Sequence, residues 1–297
     1  MQDKEPDDFR ESTALKEIWT IFRQNRIALF SFYLLVIFIL TTVFSPLLAP
    51  YSSVEQFAQH ELLPPSWVEG GTISFFFGTD DIGRDLFSRI IIGSAYTLGS
   101  SLAVILIVTL FGTVIGIWAG ISHSIKSKIL SNILHTFLSI PSLLIAIIIA
   151  TLLEASLLGA TIATTLAILP YFMHEIYKLT QQELNKEYVL MLKLDGVSNS
   201  TLLKETVIPN IMHRYIQEIG RSFATAILDI SALGFISLGA QRPTPEWGAM
   251  IKDSLELIYL APWTVILPGV AIIVTVLTLL IFSQGLSDTV KTYYERG

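Results

Sequence analysis

Residues 97–119 read TLGSSLAVILIVTLFGTVIGIWA, a run of 23 positions without a charge. At about 1.5 Å of rise per residue, a helix of that length covers the roughly 30 Å hydrocarbon core of a bilayer. Working outward, five more mostly apolar stretches occupy residues 27–49, 133–153, 156–176, 219–239 and 263–283. The 297-residue chain is 52% apolar and only 15% charged, whereas soluble domains carry about 25% charged residues. The pattern predicts an all-α integral membrane protein with six transmembrane helices. Only Glu154 and Ala155 separate the third and fourth stretches, which predicts a tight helical hairpin. Pro141 and Pro170 fall inside these stretches, as membrane helices tolerate when neighbours satisfy the freed backbone groups. The first stretch is too long for a cleaved leader, follows six acids and has no small-residue cleavage site.

Orientation follows from the basic residues, which favour cytoplasmic loops. Of the 19 Lys and Arg, 15 lie on the side that holds both termini, so both termini are expected in the cytoplasm. The opposite face carries the whole net charge of −6. The expected organisation is a cytoplasmic tail over 1–26, a first span over 27–49 and an external loop over 50–96. A five-helix core over 97–284 follows, containing a cytoplasmic connection at 177–218, and a tail over 285–297 ends the chain. Within the first tail, Leu15, Ile18, Trp19 and Phe22 recur at helical spacing, which predicts an amphipathic helix on the membrane surface.

The sequence also excludes classes. Zero cysteines leave no disulfide framework and no thiolate metal site. There is no phosphate-cradling G-x-x-x-x-G-K-[ST] loop, no H-E-x-x-H helix and no G-x-S-x-G elbow. The five histidines lack metal-ligand spacing, and His174–Glu175 reads as a solvated pair at the end of the fourth span. Net acidity argues against nucleic acid as a partner. We therefore expect no catalytic residues, no metal and no cofactor bound by this chain; energy for active work would come from elsewhere.

The connection at 177–218 contains KEYVLMLKLDGVSNSTLLKETVIPN from Lys186 onward. Tyr188 and Leu192 fall on one helical face, and Asp195–Gly196 reads as the helix end, because glycine accepts a left-handed backbone without steric penalty. Ser198 offers an N-cap for a second short helix, expected to stop before Pro209. The result would be either an ordinary amphipathic loop or a docking knob for a cytosolic partner.

This connection resembles the coupling loop of bacterial ABC importer permeases, E-A-A-x-x-x-G-x9-I-x-L-P. Gly196 and Pro209 stand at the Gly and Pro; Leu190, Met191 and Leu192 replace E-A-A, and Thr206 replaces the Ile. Gly78-Thr79-Asp80-Asp81-Ile82-Gly83-Arg84-Asp85, with Ser88, Arg89 and Gly93, resembles the G-T-D-x-x-G-R-D-x-x-S-R-x-x-x-G signature of the second permease subunit of di- and oligopeptide transporters. Leu233-Gly234-Phe235 and the run from Pro243 to Met250 resemble its L-[GS]-F and P-x-P-x-W-G-x-M segments. Within that family, the Gly-Thr-Asp-Asp run and the Leu190–Gly196 variant are similar to the Sap-type branch. The resemblance implies a type I-like importer permease fold, a multi-pass subunit of the bacterial inner membrane. Its implied partners are a second permease subunit in a heterodimer, two cytosolic ATPases, a periplasmic solute-binding protein and membrane lipid. Its implied activity is ATP-driven peptide transport, with cationic or antimicrobial peptides as cargo. Polyamine (putrescine) export and a non-transporting anchor for ATPases are the alternatives.

Gly78 and Gly83 permit sharp turns, while Asp80, Arg84, Asp85 and Arg89 are expected to form ion pairs at the membrane surface, Arg being suited to carboxylates. Such a group serves either as a clip for the loop or as a contact for cargo or its carrier. Asp229 is the one acid in the middle of a span; a central Asp costs about 2.5–3.5 kcal/mol on insertion scales and should face the interior. It either lines a translocation path for cations or bonds two helices. Gly112, Gly116 and Gly120 recur every four residues, the spacing of closely packed helices.

Overall fold

The computed structural model describes residues 6–121 and 139–296. The second connection, with Lys126 and Lys128, and the start of the 133–153 stretch therefore lie outside the described residues. All regular elements among the described residues are helical: α1 (Pro6–Phe22), α2 (Arg26–Val43), α3 (Leu86–Ile121), α4 (Ser142–Thr151), α5 (Leu157–Leu184), α6 (Glu187–Leu194), α7 (Ile208–Phe235), α8 (Trp247–Ser254) and α9 (Trp263–Arg296). Among the described residues, four helices are long and apolar enough to cross a membrane: Arg26–Val43, Leu86–Ile121, Leu157–Leu184 and Trp263–Glu295. The described part of the third stretch is the 10-residue apolar helix α4. The fifth stretch is the outer part of α7, which at 28 residues is long enough but carries Glu218, Arg221 and Asp229.

Two boundaries move. α3 begins at Leu86, so residues 86–96 of the expected loop are helical. Arg89 lies in this first part of the helix with its charge paired to Asp80. α2 closes at Phe44, whose N–H donates to the Leu40 carbonyl, and a separate turn, Ser45–Leu48, follows. Pro46 has no N–H to continue the α2 ladder, so the helix breaks here, and proline fits the first turn of the short helix that follows.

Small residues set the packing. A side chain on Gly112 would meet the Phe172 ring at 2.6 Å, one on Gly116 would meet Ile176 at 2.8 Å, and one on Gly120 would meet Thr180 at 2.7 Å, so the glycine stripe is where α3 seats on α5. The α4–α5 hairpin closes on fully buried alanines, Ala146 and Ala150 against Ala160, Ala163 and Ala167. Pro170 lies inside α5, whereas Pro141 stands just before α4 rather than within it. In α1, Phe22 is buried and meets Phe282 of α9 at 6.1 Å between ring centroids, while Leu15 is exposed. The predicted amphipathic helix thus anchors its last turn on the bundle.

Beyond α6 the chain turns at Gly196, with φ of +84°. Ser198 Oγ caps the next turn by accepting from Thr201 N at 3.2 Å. The second short helix does not stop before Pro209. A π-helical turn, Leu202–Val207, runs straight into α7, and Pro209 occupies the first turn of that helix. Proline fits there because first-turn N–H groups need no intrahelical partner.

Candidate functional site

The segment Gly78–Arg89 folds as one knot. Thr79 is fully buried; its hydroxyl donates to the His60 carbonyl and accepts from Leu63 N at 2.8 Å. Asp80 Oδ1 accepts from Arg84 N at 2.9 Å and Ile82 N at 3.2 Å, and Oδ2 meets Arg84 Nε at 2.6 Å and Arg89 Nε at 3.6 Å. Arg89 Nη1 also donates to the Ser53 carbonyl at 2.7 Å. Asp80 thus pairs with Arg84 and Arg89 as expected, and all three are buried within the protein. Asp85 forms no ion pair: its Oδ2 accepts from Ser88 N at 2.8 Å and caps α3, and burial pushes its carboxyl above the ordinary value. Gly78 and Gly83 have φ of +79° and +78°; a side chain on either would strike the Leu63 or Phe57 carbonyl at 2.4 Å. These bonds hold the 51–83 loop against the start of α3, while Asp85 Oδ1 is buried without a hydrogen-bond partner among the described residues.

A second knot was not singled out as a site. Glu246 is fully buried and caps α8: Oε2 accepts from Ala249 N at 2.8 Å, and Oε1 accepts from Gly248 N at 3.0 Å, Thr97 Oγ1 at 3.1 Å and Ser231 Oγ at 3.2 Å. Burial pushes this carboxyl above its ordinary range despite those four donors. A side chain on Gly234 would meet Glu246 Oε2 at 2.2 Å, and one on Gly93 would meet the Pro245 carbonyl at 2.2 Å. Gly93 and Gly234 thus let α3, α7 and α8 close on one carboxylate. The signal was the P-x-P-x-W-G run itself, in which Glu246 holds the variable position. Above it, Arg242 bridges Asp253 at 2.7 Å and Asp81 at 3.5 Å, tying the two knots together.

The 177–218 connection forms a third centre at the far end of α5 and α7. Val189 is buried and Leu192 packs inward on the core. Leu192, one turn after Tyr188, lies on the face that α6 turns toward the bundle. The exposed apolar residues are Leu190, Met191 and Leu194, at 46%, 66% and 87% exposure. Their spacing lay in the same sequence, but only the burial of Val189 selects the face. Tyr188 is half-exposed; its hydroxyl donates to Glu183 and accepts from Asn210 Nδ2 at 3.1 Å, linking α6 to α5 and α7 beside Pro209. Burial and the Glu183 carboxylate raise the phenol above its ordinary value, so it remains a donor. Asp195 is exposed at the end of α6.

Asp229 joins neither motif. It is buried in α7 and accepts from Ser142 Oγ at 3.1 Å, an interhelical bond to the start of α4. His174 is buried rather than solvated, and Glu175 pairs with Lys178 at 3.7 Å.

This bundle, with its glycine-closed knots and projecting α6, matches the family of binding-protein-dependent transport system inner membrane components over residues 112–291. Residues 13–65 match the N-terminal transmembrane domain of oligopeptide transport permease C. The chain belongs to this permease family and is a multi-pass protein of the inner membrane. It is 60% identical over 295 residues to the peptide transport system permease protein SapC of Haemophilus influenzae, covering 99% of this chain and all of that one. Identity to SapC of Salmonella typhimurium is 45%, covering 93% and 94%; to the dipeptide permease DppC of Escherichia coli K12 it is 37%, covering 93% and 92%. Among solved structures, the inward-facing MetNI methionine ABC transporter aligns with a TM-score of 0.55 at 12% identity, over 69% of this chain and 97% of that one. That likeness establishes the importer-permease fold.

Proposed function

We propose that this chain is one transmembrane subunit of an ATP-driven peptide importer, paired with a second permease, two cytosolic ATPases and a periplasmic binding protein. The observation that carries the reading is α6: an eight-residue helix fixed to the bundle by Val189 and Tyr188, followed by a turn at Gly196, with Leu190, Met191 and Leu194 exposed. ATP binding would displace this helix, and α7, which follows it beyond the Gly196 turn and is bonded to it through Tyr188 and Asn210, would carry the displacement to the far face. Nucleotide shifts the transporter between states only by binding them differently.

The reading includes six spans with both termini in the cytoplasm, supported by the distribution of 15 of 19 basic residues. It includes a preference for cationic peptides, supported by the acidic outer loops and by Asp229 in α7, although charges beyond about 8–10 Å are largely screened at physiological salt. The test is purification with candidate partners and measurement of vanadate-sensitive ATP hydrolysis and peptide uptake. Gly196→Arg should leave insertion intact and uncouple hydrolysis from uptake; normal uptake would overturn the role of α6. Asp229→Asn should reduce uptake of cationic peptides while sparing neutral ones, and equal uptake of every cargo would remove Asp229 from the path.

A further inference from the structure

α9 is gripped on two sides by contacts between small residues. A side chain on Gly285 would meet Ala28 Cβ of α2 at 2.3 Å, and one on Gly220 of α7 would meet Ser283 at 2.2 Å. Between these two contacts α2 and α7 leave a cleft of about 450 Å³ floored by α9, within the 300–1,000 Å³ range of small-molecule sites. Its polar end is built from α7 and α9. Gln217 Nε2 donates to Gln284 Oε1 at 3.0 Å, Gln284 Nε2 donates to Asp288 Oδ1 at 3.0 Å, and Arg221, 68% exposed, reaches Glu218 at 3.2 Å.

Below this polar end the same face of α9 is apolar and bare. Val270, Ile273, Leu277, Leu280 and Ile281 are all exposed, and their spacing of three and four residues places them on one stripe with Gln284 and Asp288. From Val270 to Leu280 the stripe rises about 15 Å, one leaflet of a hydrocarbon core about 30 Å thick. A polar cleft carrying one cation and one acid, capping a leaflet-long apolar stripe, has the form of a complement to a single phospholipid.

We infer that this cleft holds the headgroup of a phosphatidylethanolamine molecule from the cytoplasmic leaflet, its phosphate on Arg221, its amine on Asp288 and an acyl chain along the α9 stripe. The inference rests on the orientation proposed above. Charge selects the headgroup. The charged groups lining the cleft are Arg221 and Asp288, and Arg221 is already paired with Glu218, so a headgroup of net negative charge finds no surplus of positive charge, whereas a phosphate with an amine one linker away meets an opposite charge at each end. The primary amine also supplies N–H donors to Asp288, which a quaternary amine lacks.

The experiment is native mass spectrometry of the whole transporter released from mild detergent, stripped of lipid and then offered phosphatidylethanolamine, phosphatidylglycerol or phosphatidylcholine. Phosphatidylethanolamine should be retained about tenfold better than phosphatidylglycerol. Asp288→Asn should erase its advantage over phosphatidylcholine, and Arg221→Gln should lower retention of both. Equal or better retention of phosphatidylglycerol by the wild-type complex, which needs no variant, would overturn the assignment. So would absence of any retained lipid, as expected if the second permease covers this face, or a preference unchanged in both variants. The same spectra count subunits, so a missing ATPase is read separately from a missing lipid.

Discussion

Thr97 Oγ1 donates to Glu246 Oε1 at 3.1 Å, joining the first long core helix to the cap of α8 across 149 residues. The same threonine oxygen accepts from Trp247 N at 3.1 Å, so one hydroxyl satisfies both partners in a dry site. Thr97→Val removes a donor and an acceptor together and should destabilise the purified protein by about 1–3 kcal/mol. Thermal unfolding followed by tryptophan fluorescence in detergent, with Ser231→Ala as the milder comparison, measures this.

Glu246 should also make stability depend on pH. Its carboxyl is raised above 4.5 by burial, so the folded state binds its proton more tightly than the unfolded state. The stabilisation linked to that proton is complete below the unfolded value and is lost as pH rises through the folded one. The stability gap between wild type and Glu246→Gln should therefore be wider near pH 5 than near pH 8. A gap that widens toward alkaline pH would reverse the assigned direction.

Asp80 neutralises two guanidinium groups at once. Asp80→Asn leaves Arg84 and Arg89 buried without their carboxylate, and breaking a buried pair in this way costs about 3–5 kcal/mol. Loss of the clip should release the 51–83 loop, read as new protease cleavage in that loop of the purified protein. Substituting the partly exposed Asp81, whose bonds to Arg84 and Arg242 are 3.9 and 3.5 Å, should have less than half the effect.

Tyr188→Phe deletes one oxygen that ties α6 to Glu183 and Asn210. The variant should assemble normally and retain ATP hydrolysis while peptide uptake falls several-fold, because α6 then moves without carrying α7. Uptake equal to wild type would make the hydroxyl ornamental. Gly196→Asn should be milder than Gly196→Val in the same assay, since Asn tolerates the left-handed backbone and a β-branched residue does not.

Zero cysteines make topology directly measurable. Single cysteines at the exposed positions Ser52 and Ser198, treated in intact spheroplasts with a membrane-impermeant maleimide, should label only at 52. Labelling at 198 instead would invert the proposed orientation.

The sequence by itself determined the class of molecule, because bilayer insertion depends on the length and apolarity of contiguous stretches, which are properties of the chain read in order. It also determined the left-handed turn at Gly196 and the helix contact along Gly112, Gly116 and Gly120, since both follow from the absence of a Cβ at a set spacing. Tertiary structure alone decided the rest. The ion pairing of Asp80 with Arg84 and Arg89 was legible, but not that α3 starts at Leu86 or that Asp85 caps it rather than pairing. Leu192 and Leu194 are chemically alike and two residues apart; only the core beneath α6 turns one inward and the other out. Glu246 sits in a motif whose conspicuous letters surround it, and its role exists only where Thr97, Ser231 and the α8 backbone converge. Partners distant in sequence leave no local signature, and a buried charge is intelligible only with the atoms that face it.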